Sequence, residues 1–367
     1  MTIALFYPEN HFLHDSNRIA KNNLYNNYWQ TLQPHPENPD RLTRVLTDLQ
    51  QTGYLDKVKI LHLPSLCSIY DILRVHSTDL LQKIYQLSSQ HGGWITAGTY
   101  VSPGSFDTIQ CSAAGIGGLI SEILCERADN AFALIRPPGH HATTRESMGF
   151  CLVNNVAIGA TCALQNSDIK RILIVDWDLH HGNGTQEIFE ARRDVMYFSV
   201  HAQNTYSNDP DRKGDWKEMG VGDGIGYSMN IPLPAGCKDI HYITVFHKLL
   251  IPLAETYQPN LIIISAGFDA HSDDPFSCMQ ITTFGYREML RVCRYIAKRY
   301  CQNRLLLILE GGYNLNALSA SVQACFDVLL DTSTIKLTPL TAHFEDNISI
   351  EVNGLINSLR GNHPIFR

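Results

Sequence analysis

Five short apolar runs constrain what this chain can fold into: 132–135 (FALI), 172–175 (ILIV), 195–200 (VMYFSV), 261–265 (LIIIS) and 305–309 (LLLIL). A strand with one wet face alternates apolar and polar residues. A near-continuous apolar run belongs to a strand covered on both faces, as in a parallel sheet between helical layers. The segments 240–257 and 284–300 between runs are long enough for crossover helices. The pattern predicts a doubly wound α/β domain. At 367 residues, 44% of them hydrophobic, the chain can bury such a core.

Each run ends in a polar, chemically loaded segment. FALI leads into RPPGHH, with His140 and His141. ILIV leads into DWDLHHGNG, 176–184, and VMYFSV into His201. LIIIS leads into AGFDAHSDDP, with Asp269, and LLLIL into EGGYNL, with Tyr313. Ligands of open α/β sheets bind beyond the carboxyl ends of the strands. Five strand ends therefore deliver His, Asp and Tyr side chains to one rim.

Asp178 and His180 are two positions apart, so on extended backbone they face the same side. Asp269 can supply a third ligand from another strand end. Two carboxylates and an imidazole suit a borderline divalent metal and leave positions open for catalysis. Alone, an Asp-x-His pair reads as a turn cap beside a packed histidine; the convergence of the other strand ends favours the metal. The rigid Arg-Pro-Pro-Gly turn fixes where His140 and His141 point. Histidines can serve as base and acid near neutral pH. Asp176 and Asn183 are nearby groups able to orient them. One histidine of the pair can suffice for proton transfer, with the other tuning the field or serving structure. Gly311 and Gly312 let the backbone come close to a ligand. Tyr313 after them can donate to a developing oxyanion, although an isolated Gly-Gly-Tyr reads as packing. Phe150, Tyr206 and Phe276 suit an apolar approach. His11, His14, His35, His76 and His91 lack ligand-like grouping, and His181 is expected to be structural.

Composition excludes several classes. A net charge of -7 argues against a broad basic nucleic-acid face. Ten cysteines stand singly with no CxxC, which fits reduced thiols rather than a disulfide framework or zinc ribbon. No signal peptide or membrane-spanning run is read, and a cytoplasmic protein without membrane contact is expected. The Pro-rich piece 33–42 reads as a surface loop with Asp40 capping the next helix. Residues 203–226 read as a long ordered loop.

Taken together, RPPGHHA, MGFC, DWDLHHGNGTQ, SAGFDAHSDDP and LEGGYNL resemble the zinc-dependent histone deacetylase family. The likeness is greatest to its class II-like branch and the bacterial histone deacetylase-like amidohydrolases. It runs from about His35 to about Leu330, and one domain over 1–367 is expected. The resemblance implies an arginase/deacetylase fold, a single three-layer domain with about eight mostly parallel strands. It implies Asp178, His180 and Asp269 as zinc ligands. It also implies His140 and His141 as the acid/base pair, partnered by Asp176 and Asn183, and Tyr313 as oxyanion donor. Gly149, Phe150, Tyr206, Phe276, Gly311 and Gly312 are implied to line the acyl-lysine tunnel. A structural potassium ion is implied at Asp176, Asp178, His180, Ser199 and Val200.

The departures bear on function. Asn183 stands where the class I branch has Asp, so His141 lacks a second carboxylate partner. Tyr313 is kept where one class II subgroup has His. Val101 replaces a rim Asp of class I enzymes, and Phe276 stands where relatives usually carry Leu or Met. The expectation is lysine deacylation of proteins or peptides, with a homo-oligomer allowed. Three rivals are a deacetylase of acetylpolyamines or another small acylated amine, a manganese ureohydrolase, and a non-catalytic acyl-lysine binding protein.

Overall fold

The five apolar runs lie side by side in one sheet. A computed structural model describes residues 2–18, 34–62, 69–203, 214–333, 337, 339 and 348–367. Its strands are β1 (Ile3–Phe6), β2 (Lys59–Ile60), β3 (Gly93–Thr96), β4 (Thr99–Val101), β5 (Asn130–Ala133), β6 (Ile172–Asp176), β7 (Val195–Ala202), β8 (Ser228–Leu233), β9 (Leu261–Ala266) and β10 (Leu305–Leu309). β3 and β4 form a separate antiparallel hairpin. The other eight form one sheet in the order β2-β1-β5-β10-β9-β6-β7-β8, with every neighbouring pair parallel.

Helices cover both faces: α1 (Asp40–Gln51), α2 (Ile69–Leu73), α3 (Thr78–Ser89), α4 (Ser105–Leu124), α5 (Asn155–Ala163), α6 (Asn183–Phe189), α7 (Asp239–Val245), α8 (Ile251–Tyr257), α9 (Thr283–Tyr300), α10 (Leu315–Leu330) and a last helix, Ile350–Asn362. Alternate residues of each strand enter different cores. Ile262, Ile264, Leu305 and Leu307 pack with α1, α7, α9 and α10. Leu261, Ile263, Leu306 and Ile308 pack with α3, α4 and α5. That division is why the runs are apolar without interruption. Burying five such side chains contributes on the order of 10 kcal/mol before the chain entropy lost.

Some boundaries differ from the sequence reading. The FALI strand starts earlier and ends at Ala133, and Leu134 bonds back to Phe6 beyond it. Asp40 is the first residue of α1 rather than its cap; Pro39 holds the cap position and Asn38 Oδ1 accepts from the Asp40 amide at 2.8 Å. The piece 33–42 is not a surface loop throughout, because His35, Glu37, Asn38, Arg41 and Leu42 are buried. The segment 240–257 is helical but carries a π-helical turn at Phe246–Leu250, just before Pro252 in the first turn of α8, which has no amide N–H to give. Strands β1, β2 and β8 and the β3–β4 hairpin were not read from the sequence. Among the described residues, no helix is long and apolar enough to cross a membrane.

Candidate active site

In a wholly parallel sheet all carboxyl ends lie along one edge. The five strands whose ends carry the polar clusters, β5, β10, β9, β6 and β7, are consecutive in the sheet. Their loops must therefore meet. Asp176 ends β6 fully buried, and its Oδ1 accepts from the Asp178 amide at 3.2 Å, turning the chain. Its Oδ2 accepts from the Tyr197 hydroxyl at 3.0 Å and lies 3.1 Å from His140 Nδ1.

Backbone amides then aim the next carboxylates. Asp178 Oδ2 accepts from the Gly311 amide at 2.9 Å, and Asp269 Oδ1 accepts from the Leu179 amide at 2.8 Å. Asp178 Oδ1 and Asp269 Oδ2 lie 3.3 and 3.0 Å from His180 Nδ1. One ligand atom from each of these three residues falls within 4.8 Å of the others. Burial, and next the charge of Asp178, push Asp269 up to about 7. Burial opposes ionisation of Asp178 too, but the His140 and His180 imidazoles hold it below the usual carboxylate range. Two adjacent carboxylates, each oriented by amide donors and buried beside an imidazole, fit a divalent cation, which would relieve their repulsion. The backbone passes close behind them: a Cβ on Gly311 would stand 2.5 Å from Asp269 Oδ2 and 2.7 Å from Asp178 Oδ2.

The two tandem histidines differ in their partners. Their ring centroids are 4.2 Å apart. Burial works against a proton on His140, yet Asp178 and Asp176 outweigh it and carry its pKa to about 10. His141 is held well below the usual histidine range, by burial first and then by the charges of His140 and His180. Its Nδ1 lies 2.7 Å from Asn183 Oδ1. An amide oxygen only accepts, so Nδ1 carries the hydrogen and Nε2 carries the lone pair. Gly149 makes room for this ring, since at its φ of +55° a Cβ would stand 2.4 Å from His141 Cδ2.

Tyr313 sits between two aromatic rings. Phe276 meets it edge-on at 5.1 Å and Phe150 at 5.8 Å. Phe150 takes φ 69°, and its amide donates to Thr99 Oγ1 at 3.1 Å. Gly312 precedes Tyr313, and its carbonyl accepts from Arg41 Nε at 2.7 Å. Tyr206 lies outside the described residues. Ser199 pairs with Asp176 across β6 and β7, and Val200 comes next, both fully buried. His181 stands apart from the donor trio: its Nε2 lies 2.8 Å from Gln186 Oε1 and its ring packs on His201 at 4.7 Å.

Several residues here were not singled out from the sequence. Glu37 receives Arg136 through both oxygens, at 2.9 and 2.7 Å, and Arg41 at 3.3 Å. Burial resists its charge, but Arg136, His14 and Arg41 hold its pKa well below the usual range. Arg41 carries this charge cluster to Tyr313, its guanidinium 4.9 Å above the ring. Glu310 Oε2 accepts from the amides of Gly139 and His140 at 2.6 and 3.1 Å, fastening the turn that presents the histidine pair. A charged residue inside an otherwise loop-like motif was the available signal.

A donor trio beside oriented histidines points to the hydrolases. Comparison with known proteins specifies which. The family model for the Histone deacetylase domain matches residues 35–329. The chain is 38% identical to Histone deacetylase 15 of Arabidopsis thaliana over 84% of its own length and 55% of that protein's. It is 38% identical to a probable deacetylase of Archaeoglobus fulgidus, covering 77% of each. It is 33% identical to the histone deacetylase-like amidohydrolase of Pseudomonas aeruginosa, covering 76% of this chain and 73% of that one. Among solved structures, the crystal structure of the HDA15 HD domain superposes with a TM-score of 0.83 at 33% identity, over all of this chain and 96% of that one. The chain belongs to the histone deacetylase family. Membership places it in a family of hydrolases acting on amide bonds.

Proposed function

We propose that this protein is a zinc-dependent deacylase that removes acetyl or a similar short acyl group from the ε-amine of lysine in proteins or peptides. The observation that carries the reading is the meeting, at adjacent strand ends, of the Asp178/His180/Asp269 trio, the differently partnered histidines and a tyrosine flanked by two rings. Zinc held by that trio would supply Lewis-acid polarisation of the acyl carbonyl and of water.

The chain's own groups do the rest. Phe150 and Phe276 flank the methylene stem of the acylated lysine. Tyr313 donates its hydroxyl to the oxygen that gains charge during attack. His141 Nε2 takes the proton of the attacking water, because its lone pair is kept by the neutral Asn183 partner. The same proton passes to the leaving amine. His140, tied to Asp176, stays protonated and stabilises negative charge. Potassium at Asp176, Asp178, His180, Ser199 and Val200 would brace this edge of the sheet.

Turnover by zinc-reconstituted full-length protein on acyl-lysine peptides and on acetylpolyamines tests the substrate class. Higher kcat/KM on the peptides is expected. Preference for acetylpolyamines would replace the reading with that of a small-amine deacetylase. Zinc binding without turnover of any substrate would leave only a binding protein.

A further inference from the structure

The position of the Tyr313 hydroxyl depends on a loop, and a carboxylate from another loop holds it. Asp274, only 5% exposed, lies in the loop after β9. Its Oδ2 accepts from the amides of Tyr313 at 2.6 Å and Asn314 at 3.1 Å. Its Oδ1 accepts from the amide of Phe276 at 3.0 Å. Pro275 between them has no N–H, so the carboxylate closes this turn on the next residue. One side chain thus gathers three backbone amides from two loops, and the rings those loops carry meet at 5.1 Å and 85°.

The loop is gripped from two sides by groups of opposite charge. Arg41 takes the carbonyl of Gly312, and Asp274 takes the amide of the next residue. Asn314 adds a bond from Nδ2 to the Asp273 carbonyl at 2.9 Å and caps α10 with Oδ1. The backbone on both sides of Tyr313 is therefore fixed, and the ring has little freedom left. Charge-assisted bonds to backbone amides are shorter and stronger than neutral ones, which suits a holding role.

We propose that Asp274 is a positioning residue for the reaction: it sets the Tyr313 hydroxyl and the Phe276 wall in register with each other. This rests on the deacylase reading above. Asp274 acts on the chemical step chiefly through the Tyr313 hydroxyl, so most of its effect on kcat must vanish when that hydroxyl is absent, leaving only the smaller part carried by Phe276.

The test is a double-mutant cycle on zinc-loaded full-length protein with an acetyl-lysine peptide, using Asp274→Asn, Tyr313→Phe and the pair. Asn has the same volume but one accepting oxygen. Whichever way its amide turns, either Phe276 or the Tyr313–Asn314 pair loses its acceptor. A misplacement of about 1 Å at a reacting group costs roughly 100-fold, so kcat should fall by ~10–100-fold in Asp274→Asn. In the Tyr313→Phe background the same change should cost less than about 3-fold. Losses that multiply in the pair, or an Asp274→Asn variant with wild-type kcat, overturn the proposal. If Asp274→Asn does not fold, the cycle is run with Asp274→Glu, which keeps the acceptors but displaces the loop by a methylene. Absence of wild-type turnover would sink the deacylase reading itself, whereas an active wild type with an active Asp274→Asn sinks only the positioning role.

Discussion

Gly311→Ala strains both carboxylates of the donor trio at once. The added Cβ would stand 2.5 Å from Asp269 Oδ2 and 2.7 Å from Asp178 Oδ2, against an ordinary contact of 3.4 Å. Relief requires shifts of 3.4 − 2.5 = 0.9 Å and 3.4 − 2.7 = 0.7 Å. Metal–ligand distances tolerate only about 0.2 Å. The φ of Gly311 lies outside the left-handed region, so alanine adds no backbone strain of that kind to the clash. Disturbing the groups that orient metal ligands typically costs ~10–100-fold in affinity, here ~1.4–2.8 kcal/mol. The assay is zinc affinity by competition with a fluorescent chelator, read beside thermal unfolding to show that the variant folds. Gly354→Ala in the last helix is the control, since a Cβ there meets nothing within 4 Å. A folded Gly311→Ala protein with wild-type zinc affinity would refute the assignment of Asp178 and Asp269 as ligands.

Asn183→Asp should raise the pKa of His141, because a carboxylate favours the imidazolium, and so move the acid limb of the kcat/KM profile to higher pH; an unmoved limb would contradict His141 as the base. Glu37→Gln leaves Arg136 buried with its carboxylate partner gone and should cost about 3–5 kcal/mol in urea unfolding. The folded pKa of Glu37 lies below its ordinary value of 4.5, so its contribution is present above that pH and is lost on acidification; a variant penalty independent of pH would contradict this. His76 is lowered from 6.5 to about 4, by burial first, while the Asn154 amide donates to its Nε2 at 2.8 Å. The unfolded chain binds the extra proton between those values, so wild-type stability should fall by about 3 kcal/mol from pH 6.5 to 4 relative to His76→Gln. Parallel stability curves for the two proteins would rule that out.

The strands read from the sequence are all buried on both faces. Their runs are apolar because each residue must suit one core or the other. Two of the missed strands are short or marginal: β2 has two residues, and β8 reads SMNIPL, with Ser228 and Asn230 buried and a proline in an edge strand; β1 is as long and as buried as β5 and was missed without such a reason. The donor trio and the histidine pair were legible because each sits directly after a readable strand. Glu37, Arg136, Glu310 and Asp274 were not. A buried charge is tolerated only with its partner, and 99 positions separate Glu37 from Arg136. Such pairing leaves no local pattern, so 33–42 looked like solvated loop. Asp274 looked like one acid in an acidic turn, since the amides of Tyr313 and Asn314 reach it from a different strand end.

Hydrolysis of an acyl-lysine amide by Tyr313 and the donor trio is the central claim. Acetate release from an acetyl-lysine peptide, measured on zinc-loaded wild type and Tyr313→Phe, tests it most directly. The expected result is wild-type turnover, with a Phe variant that keeps its zinc but loses ~10²–10³ in kcat, as for loss of one oxyanion donor. A Tyr313→Phe protein as active as wild type, or a zinc-loaded wild type that releases no acetate, would contradict it.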